Sequence, residues 1–248
     1  DKPQHVFDRP DLQNASAAER PSDREYGRYF WLAERYRDHD CDDLDADYPF
    51  LLEDPLFNTL YAVSELALVK IANVLGLDGA RHLRRASELT TALASLFVEA
   101  IGCYGARDVV KDSIIGKATI NGLLPLLLPD IAHARSLADV MEGPRFLGSG
   151  ALLIPSYDAT ADDLNPELYW RGPAWFNMAW LAATALAAHG RVESAENIGM
   201  NLVRLAEHND FPEYVQPWRG SPHGTRRFSW TAALTLETLE HRGWGLLE

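Results

Sequence analysis

The stretch Asp54–Gly76, DPLFNTLYAVSELALVKIANVLG, decides the fold class of this chain. Apolar side chains recur from Leu56 to Leu75 at the spacing of an α-helix. Pro55 occupies the first turn and Gly76 follows the last apolar residue, which is the usual asymmetry of a helix start and end. The stretch therefore predicts one long helix.

Further helices are expected along most of the chain. The sequence Ser22-Asp-Arg-Glu25 has the form of a capping box and opens a helix. The only signal of an extended run is Ala151–Ile154. The pattern predicts an all-α protein of about seven or eight helices joined as antiparallel pairs. The other expected helices are approximately Gly79–Ile101, Asn121–Leu128, Ala132–Met141, Pro173–His189, Val192–Glu207 and Phe228–Arg242.

The composition is typical of a soluble globular protein, with 248 residues, 47% of them hydrophobic and 24% charged. A formal net charge of −13 argues against nucleic acids and anionic membranes as partners. Cys41 and Cys103 lack metal-ligand spacing, which favours a reducing, cytoplasmic compartment and leaves one disulfide open. Because there is no HExxH, GxSxG or P-loop pattern, neither a metal nor a cofactor is expected.

Residues Asn165–Trp180 concentrate aromatic and hydrogen-bonding side chains where a loop enters a helix. Aromatic rings stack on the apolar face of a pyranose, and Arg and Asn side chains reach its hydroxyls. A buried aromatic helix start would use the same residues, and Gly172-Pro173 is a natural helix start, so both interpretations stay open. The candidate ligand-binding residues here are Tyr169, Trp170, Arg171, Gly172, Trp175 and Asn177.

Two other junctions between loops and helices could contribute to a site. Asp54 and Asn58 lie one turn apart and could face one cavity, although capping of the helix is the competing interpretation for Asp54. Glu213 lies between prolines and aromatic residues. Partial desolvation there would suit a general base, whereas a surface glutamate is the commoner alternative. Arg226 and Arg227 could pair with Glu213 or bind an anionic substrate group.

Six segments carry a family resemblance, in the same order as in the family: Ala18–Tyr26 with Tyr29, Glu53–Asn58, Pro155-Ser156, Tyr169–Pro173, Glu213-Tyr214 and Phe228–Ala233. With them the chain resembles the bacterial members of glycoside hydrolase family 63. The resemblance is strongest to the mannosylglycerate and glucosylglycerate hydrolases, and more distant to trehalases and glucoamylases.

The resemblance implies an (α/α)6 barrel of twelve helices in two rings, with the site at one mouth. It also implies inverting hydrolysis of a small α-glucoside or α-mannoside. In such enzymes one carboxylic acid protonates the leaving oxygen, and a carboxylate roughly 6.5–9.5 Å away activates water. Carried over, Glu213 matches the general base and Trp230 an aromatic wall. Tyr169, Trp170 and Arg171 match residues that line the sugar subsite.

The chain departs from the family pattern at two places. Gln216 and Trp218 replace the Asn/Asp-Pro-Leu-Thr-Gly run that often follows the base, which leaves the aglycone open; both remain candidates for substrate binding. The family's general acid is an aspartate in a Gly-Trp-Asp-type motif, which does not occur here. We therefore expect residues 1–248 to be the C-terminal portion of a catalytic domain, inactive alone and completed by an N-terminal fragment or by self-association.

A second interpretation is a non-catalytic carbohydrate-binding or assembly module on the same helical scaffold. The missing acid favours this module, whereas the context of Glu213 favours a hydrolase. An unrelated all-α scaffold, whose aromatic residues form the core, is the third interpretation. Binding of a sugar without its turnover would identify the module.

Overall fold

The computed structural model describes residues 8–43, 45 and 47–240, and eight α-helices dominate this part of the chain. The sequence predicted an all-α protein, and this is confirmed in part, because the described residues are mainly helical but also contain small sheets. In chain order the helices are α1 (Asp23–Asp38), α2 (Pro55–Val74), α3 (Ala80–Leu93), α4 (Ile120–Leu123), α5 (Ala134–Glu142), α6 (Phe176–Ala188), α7 (Val192–His208) and α8 (Ser229–Glu240).

The first two helices begin where the sequence places their caps. Glu25 N–H donates to Ser22 Oγ at 3.4 Å, and Ser22 N–H donates to Glu25 Oε2 at 2.8 Å, which completes the capping box. At the start of α2, Phe57 N–H donates to Asp54 Oδ1 at 2.9 Å. Pro55 costs nothing at that position, because its missing N–H would have no partner within the helix.

Within the described residues, eight short strands lie among the helices, and the sequence did not predict them. They are β1 (Leu52–Glu53), β2 (Phe97–Val98), β3 (Cys103–Tyr104), β4 (Ala106–Asp108), β5 (Ser113–Ile115), β6 (Ala174–Trp175), β7 (Tyr214–Val215) and β8 (Pro222–His223). They form three antiparallel sheets, in the orders β1-β4-β5, β2-β3 and β6-β7-β8. Strands this short show no alternation of apolar and polar residues. The one run expected to be extended, Ala151–Ile154, forms no strand.

Two predicted helices were too long. The helix expected over Gly79–Ile101 ends at Leu93, and the chain then turns through a 3-10 segment into the β2–β3 hairpin. The helix expected from Pro173 begins at Phe176, because the backbone before it pairs with β7.

The helix expected over Asn121–Leu128 divides into α4 and a 3-10 turn that contains Pro125, which lacks the N–H a continuous helix needs. The helix expected over Phe228–Arg242 is confirmed as α8 up to Glu240, and residues 241–242 lie outside the described residues.

The hydrophobic core lies around α6 and α7, which pack on each other and against α8. A second helix pair, α2 with α3, contacts this core through the 3-10 turn after α4. Sheet β6–β8 packs on the same core, since β6 leads directly into α6 and Tyr214 of β7 is fully buried. The core therefore supports this sheet, next to which Glu213 lies.

Candidate active site

Sheet β6–β8 aligns three aromatic rings side by side. In its register Trp175 lies opposite Tyr214, and Tyr214 lies opposite His223. The ring centroids of Trp175 and Tyr214 are 4.6 Å apart, those of Tyr214 and His223 are 6.0 Å apart, and Trp170 stacks on Trp175 at 4.0 Å. These four rings, called the aromatic stack below, end in Trp170, whose exposed fraction is 42%.

The loop before β6 is fixed tightly beside the aromatic stack. Tyr169 has a backbone φ of +22°, its N–H donates to the Glu19 carbonyl at 3.1 Å, and its own carbonyl accepts from Trp175 Nε1 at 3.2 Å. Gly172 has a φ of +149°, and a Cβ there would lie 2.8 Å from Leu164 Cδ1. Only glycine combines that backbone angle with that close approach.

Glu213, placed immediately before β7, forms a buried ion pair with Arg20. Arg20 Nη2 donates to Glu213 Oε2 at 2.7 Å and Nη1 donates to Oε1 at 3.3 Å, and both residues are only 8% exposed. Thr225 N–H also donates to Oε2, at 3.1 Å. A buried carboxylate needs a cation or several donors to offset its lost hydration, and Arg20 and Thr225 supply both.

Charge and burial around the pair set the protonation of its neighbours. Burial opposes the charge on Arg20, but the hydrogen bonds and negative charge of Glu213 outweigh it, so the pKa of Arg20 is raised. For Tyr169 and Tyr214, burial instead raises the pKa, and the negative charge of Glu213 raises both values further. These groups therefore keep one protonation state across the neutral range.

Gly224 brings the backbone within contact distance of Glu213. Its φ is +66°, and a Cβ there would lie 2.4 Å from Glu213 Oε2 and 2.9 Å from a ring carbon of Tyr214. Any side chain at this position would displace the carboxylate. The close approach places Thr225 N–H where it can donate to Glu213.

A pocket of about 420 Å³ lies beside the ion pair, on the side of α1. The residues that line it are largely aromatic, and Arg20 is also among them. Arg20 Nε is buried and has no hydrogen-bond partner among the described residues. The pocket is lined by Asp11, Arg20, Pro21, Tyr26, Tyr29, Phe30, Ala33 and Tyr169.

Several predicted site residues take supporting positions. Trp175 lies between Trp170 and Tyr214 and is 3% exposed, so it stands behind Trp170. Gln216 Oε1 accepts from the N–H groups of Trp218, at 2.8 Å, and of Arg219, at 2.6 Å, and so holds the turn after β7.

Trp218 Nε1 in turn donates to Ser149 Oγ at 3.1 Å. Asp54 caps α2 and accepts from Asn121 Nδ2 at 3.1 Å, and Asn58 Nδ2 donates to the Asp54 carbonyl at 2.9 Å. Asp54 therefore has the helix-capping role that the sequence offered as the competing interpretation. The Asp54 carboxylate, Asn58 Nδ2 and Trp218 Nε1 are therefore engaged in local structural contacts.

Other predicted site residues retain free surface. The side chains of Trp170, Arg171 and Trp230 are exposed. On α6, Asn177 Oδ1 is buried and has no hydrogen-bond partner within the described part of the chain. The three exposed side chains are accessible to a ligand, whereas Asn177 Oδ1 does not reach the surface.

The expectation that Arg226 or Arg227 pairs with Glu213 was wrong. Arg226 donates to the Asn209 carbonyl at 2.7 Å, and Arg227 pairs with Asp210 at 3.1 Å on the surface. The cation on Glu213 is Arg20, 193 residues earlier in the chain. It lies in Ala18–Tyr26, one of the segments that carry the family resemblance, and that segment was the signal that could have identified it.

Among residues 8–43, 45 and 47–240, no group of three His, Cys, Asp or Glu side chains could hold a metal ion. None of the helices found there combines the length and apolar character needed to cross a bilayer. Cys41 and Cys103 are both free thiols, and burial raises the pKa of Cys103 to about 11. The disulfide that the sequence left open is therefore not formed.

Comparison with known proteins identifies the family. A profile described as the "Mannosylglycerate hydrolase MGH1-like glycoside hydrolase domain" matches residues 4–231. The chain belongs to this family of glycoside hydrolases. The resemblance drawn from the six ordered segments is confirmed.

Curated members of the family are about 30% identical to this chain over the aligned residues. A mannosylglycerate hydrolase of Rubrobacter radiotolerans is 30% identical over 240 residues, which cover 94% of this chain and 54% of that protein. A glucosylglycerate hydrolase of Mycolicibacterium hassiacum is 32% identical over 236 residues, covering 90% and 52%. The chain thus spans about half the length of the curated relatives it matches.

The fold of the chain agrees with that of a crystal structure from the same family. The crystal structure of the GH63 mannosylglycerate hydrolase from Thermus thermophilus in complex with Tris superposes with a TM-score of 0.87 at 30% identity. It covers 94% of this chain and 56% of that one. The same enzyme in complex with glucose gives a TM-score of 0.84.

Proposed function

We propose that the protein is a glycoside hydrolase that cleaves a small α-glucoside or α-mannoside, with glucosylglycerate and mannosylglycerate as the substrates to test first. The observation that carries the proposal is Glu213. It is a buried carboxylate, oriented by Arg20 and Thr225, beside an aromatic stack with one exposed ring. The names of the relatives support the choice of substrates.

Glu213 acts in this proposal as the general base of an inverting reaction. Its two oxygens are not equivalent: Oε2 accepts from Arg20 at 2.7 Å and from Thr225 at 3.1 Å, whereas Oε1 accepts one longer bond of 3.3 Å. Oε1 is therefore the freer oxygen to take a proton from the attacking water. The fixed orientation lowers the entropic cost of aligning that water with the sugar.

The exposed ring of Trp170 is suited to stack on the apolar face of a sugar. Arg171 is better placed than Arg226 or Arg227 to meet an anionic aglycone such as glycerate, because it is exposed next to Trp170, whereas Arg226 and Arg227 bond to Asn209 and Asp210. A guanidinium presents paired donors to a carboxylate. The expected substrate therefore has an apolar sugar face and an acidic group close to it.

The proposal includes a second component that carries the general acid. The 248 residues contain no Gly-Trp-Asp-type motif, so the acid is expected on a complementary polypeptide, whether continuous with this chain or separate. Together the two parts would form the (α/α)6 barrel, with residues 1–248 as its C-terminal portion. Exposed apolar side chains on α2, such as Phe57 and Val74, support a covering partner.

The test is release of sugar from glucosylglycerate and from mannosylglycerate by the full-length protein that carries this chain. Release of the β-anomer first, followed by NMR, is expected for an inverting enzyme. Glu213→Gln should lower kcat by about 10²–10⁴-fold, as for loss of a general acid or base. Glu142→Gln is the matched control, because Glu142 forms an ion pair with Arg191 away from the site.

Retention of full activity in Glu213→Gln would remove this residue from the mechanism. Binding of either compound without release of sugar would favour the second candidate, a carbohydrate-binding module. The absence of the acid motif from the sequence is the observation that favours that candidate. Equal losses in Glu142→Gln and Glu213→Gln would indicate damage to the fold.

A further inference from the structure

Glu19, one residue before Arg20, contacts the region of sheet β6–β8 at four points. Its Oε2 accepts from Gly224 N–H at 2.9 Å. His223 Nδ1 lies 3.1 Å from its Oε1, a close polar contact without the alignment of a hydrogen bond. Its backbone carbonyl accepts from Tyr169 N–H at 3.1 Å and from the Tyr214 hydroxyl at 3.3 Å. Glu19 thus anchors the N-terminal segment to the sheet.

Two consecutive backbone amides hold two carboxylates in the same turn. Gly224 N–H donates to Glu19, and Thr225 N–H donates to Glu213. Arg20 follows Glu19 directly, so the position of Glu19 determines where the Arg20 guanidinium can reach. The contact of Glu19 with Gly224 and the ion pair of Arg20 with Glu213 therefore depend on the same backbone segment, Glu19-Arg20.

Stacking on Tyr214 in the aromatic stack places the His223 ring next to Glu19. The His223 ring lies nearly parallel to that of Tyr214, at an angle of 12°, and the His223 side chain is 12% exposed. Nε2 is buried and has no hydrogen-bond partner in the described residues, so the one polar contact that its ring makes there is the one with Glu19. Both side chains are largely buried, so little water reaches this contact.

We propose that Glu19 and His223 are a positioning pair that holds the Arg20 guanidinium on Glu213 and so fixes the orientation of the base. The kinetic part of this inference rests on the proposed function of Glu213. The structural part, the position of Arg20, stands on geometry alone. Neither Glu19 nor His223 is assigned contact with the substrate.

The test compares Glu19→Ala, Glu19→Gln and His223→Phe in the full-length protein. Glu19→Ala removes the anchor and should lower kcat by about tenfold, with KM within about threefold of the original, because the sugar-stacking rings stay in place. Glu19→Gln keeps an oxygen that can accept from Gly224 N–H, so it should rescue most of that loss. His223→Phe keeps a ring against Tyr214 but removes the polar contact with Glu19, and an intermediate loss is expected.

The matched control is His82→Gln, which breaks another histidine–glutamate pair. His82 Nδ1 lies 2.6 Å from Glu65 Oε2, between α3 and α2. This variant should change the melting temperature and leave kcat unchanged. A fall in kcat equal to that of His223→Phe would assign the effect to general stability and overturn the inference.

A crystal structure of Glu19→Ala separates this inference from the proposed function. The separation of Arg20 Nη2 from Glu213 Oε2, 2.7 Å in the original protein, should exceed a hydrogen-bond distance or become variable. An unchanged ion pair would overturn the inference, whether or not the protein hydrolyses either compound. Absence of sugar release by the original protein would refute the function and leave this structural result valid.

Discussion

Helices α2 and α6 are both rich in apolar residues, yet they are buried to very different extents. Eight of the 13 residues of α6 are buried, compared with five of the 20 residues of α2. Phe57 on α2 is 76% exposed and Val74 is 87% exposed. An apolar helix face becomes core only when another element covers it. In the described part of the chain α6 has such cover on most sides, and α2 has it on one.

Phe176→Ala on α6 and Phe57→Ala on α2 test this contrast most strongly. Phe176 is 1% exposed, so its truncation should lower the free energy of unfolding by about 4 kcal/mol. Truncation of Phe57 in this chain should cost no more than about 0.5 kcal/mol, as at other exposed sites. Urea unfolding measures both.

The proposed complementary polypeptide would sharpen the same contrast. If it covers α2, the cost of Phe57→Ala should rise by about 2 kcal/mol when the partner is present. An equal cost with and without it would show that this face stays open. Equal costs for Phe57 and Phe176 in this chain would contradict the difference in burial itself.

Arg20→Met should lower the free energy of unfolding by about 3 kcal/mol, because it leaves Glu213 buried without its cation. Arg85→Met on α3 breaks an ion pair with Glu88 in which both side chains are more than half exposed. This variant should lower the free energy of unfolding by no more than about 1 kcal/mol. Thermal unfolding of both variants gives the comparison. Similar small losses would mean that Glu213 finds another partner.

Gly224→Ala should cost about 2 kcal/mol, since the new Cβ would lie 2.4 Å from Glu213 Oε2 at a positive φ. Gly76, at the end of α2, has a φ of +67° and open space around it. Gly76→Ala should therefore cost only about 1 kcal/mol, the backbone strain alone. Equal costs would show that the contact with Glu213 relaxes freely.

The capping box of α1 gives the smallest effect, which depends on pH. Ser22 lowers the pKa of Glu25 below its ordinary value of 4.5 by donating to the carboxylate. A lowered pKa adds stability above the ordinary value, and that stability is lost as the pH falls through the lowered one. Ser22→Ala should cost about 1 kcal/mol at neutral pH. The difference from the original protein should shrink in acid, as followed by circular dichroism, and a constant difference would contradict this role.

The sequence predicted what depends on local patterns. The capping residues Ser22 and Asp54 mark the starts of α1 and α2, and the apolar spacing marks most other helices. The strands were missed because two or three residues carry no periodicity. They matter nonetheless, because β6 and β7 place Trp175 opposite Tyr214 and so build the aromatic stack.

The candidate site was predictable only in part, because its key contact is not local. Glu213 was singled out by its neighbours in the sequence, but no spacing rule connects it to Arg20. The candidates Arg226 and Arg227 were chosen because they are close along the chain, and the fold directs them elsewhere. Contacts between distant segments depend on topology, which periodicity does not encode.

The sequence separation of 193 between Arg20 and Glu213 also bears on the order of folding. During synthesis Arg20 leaves the ribosome well before Glu213 and Gly224, so neither its ion pair nor the anchor of Glu19 can form until those residues are made. Closing so long a loop costs entropy that only a largely formed core can repay. The ion pair should therefore form after the rate-limiting step, so substitutions of Arg20 should speed unfolding and leave the folding rate nearly unchanged.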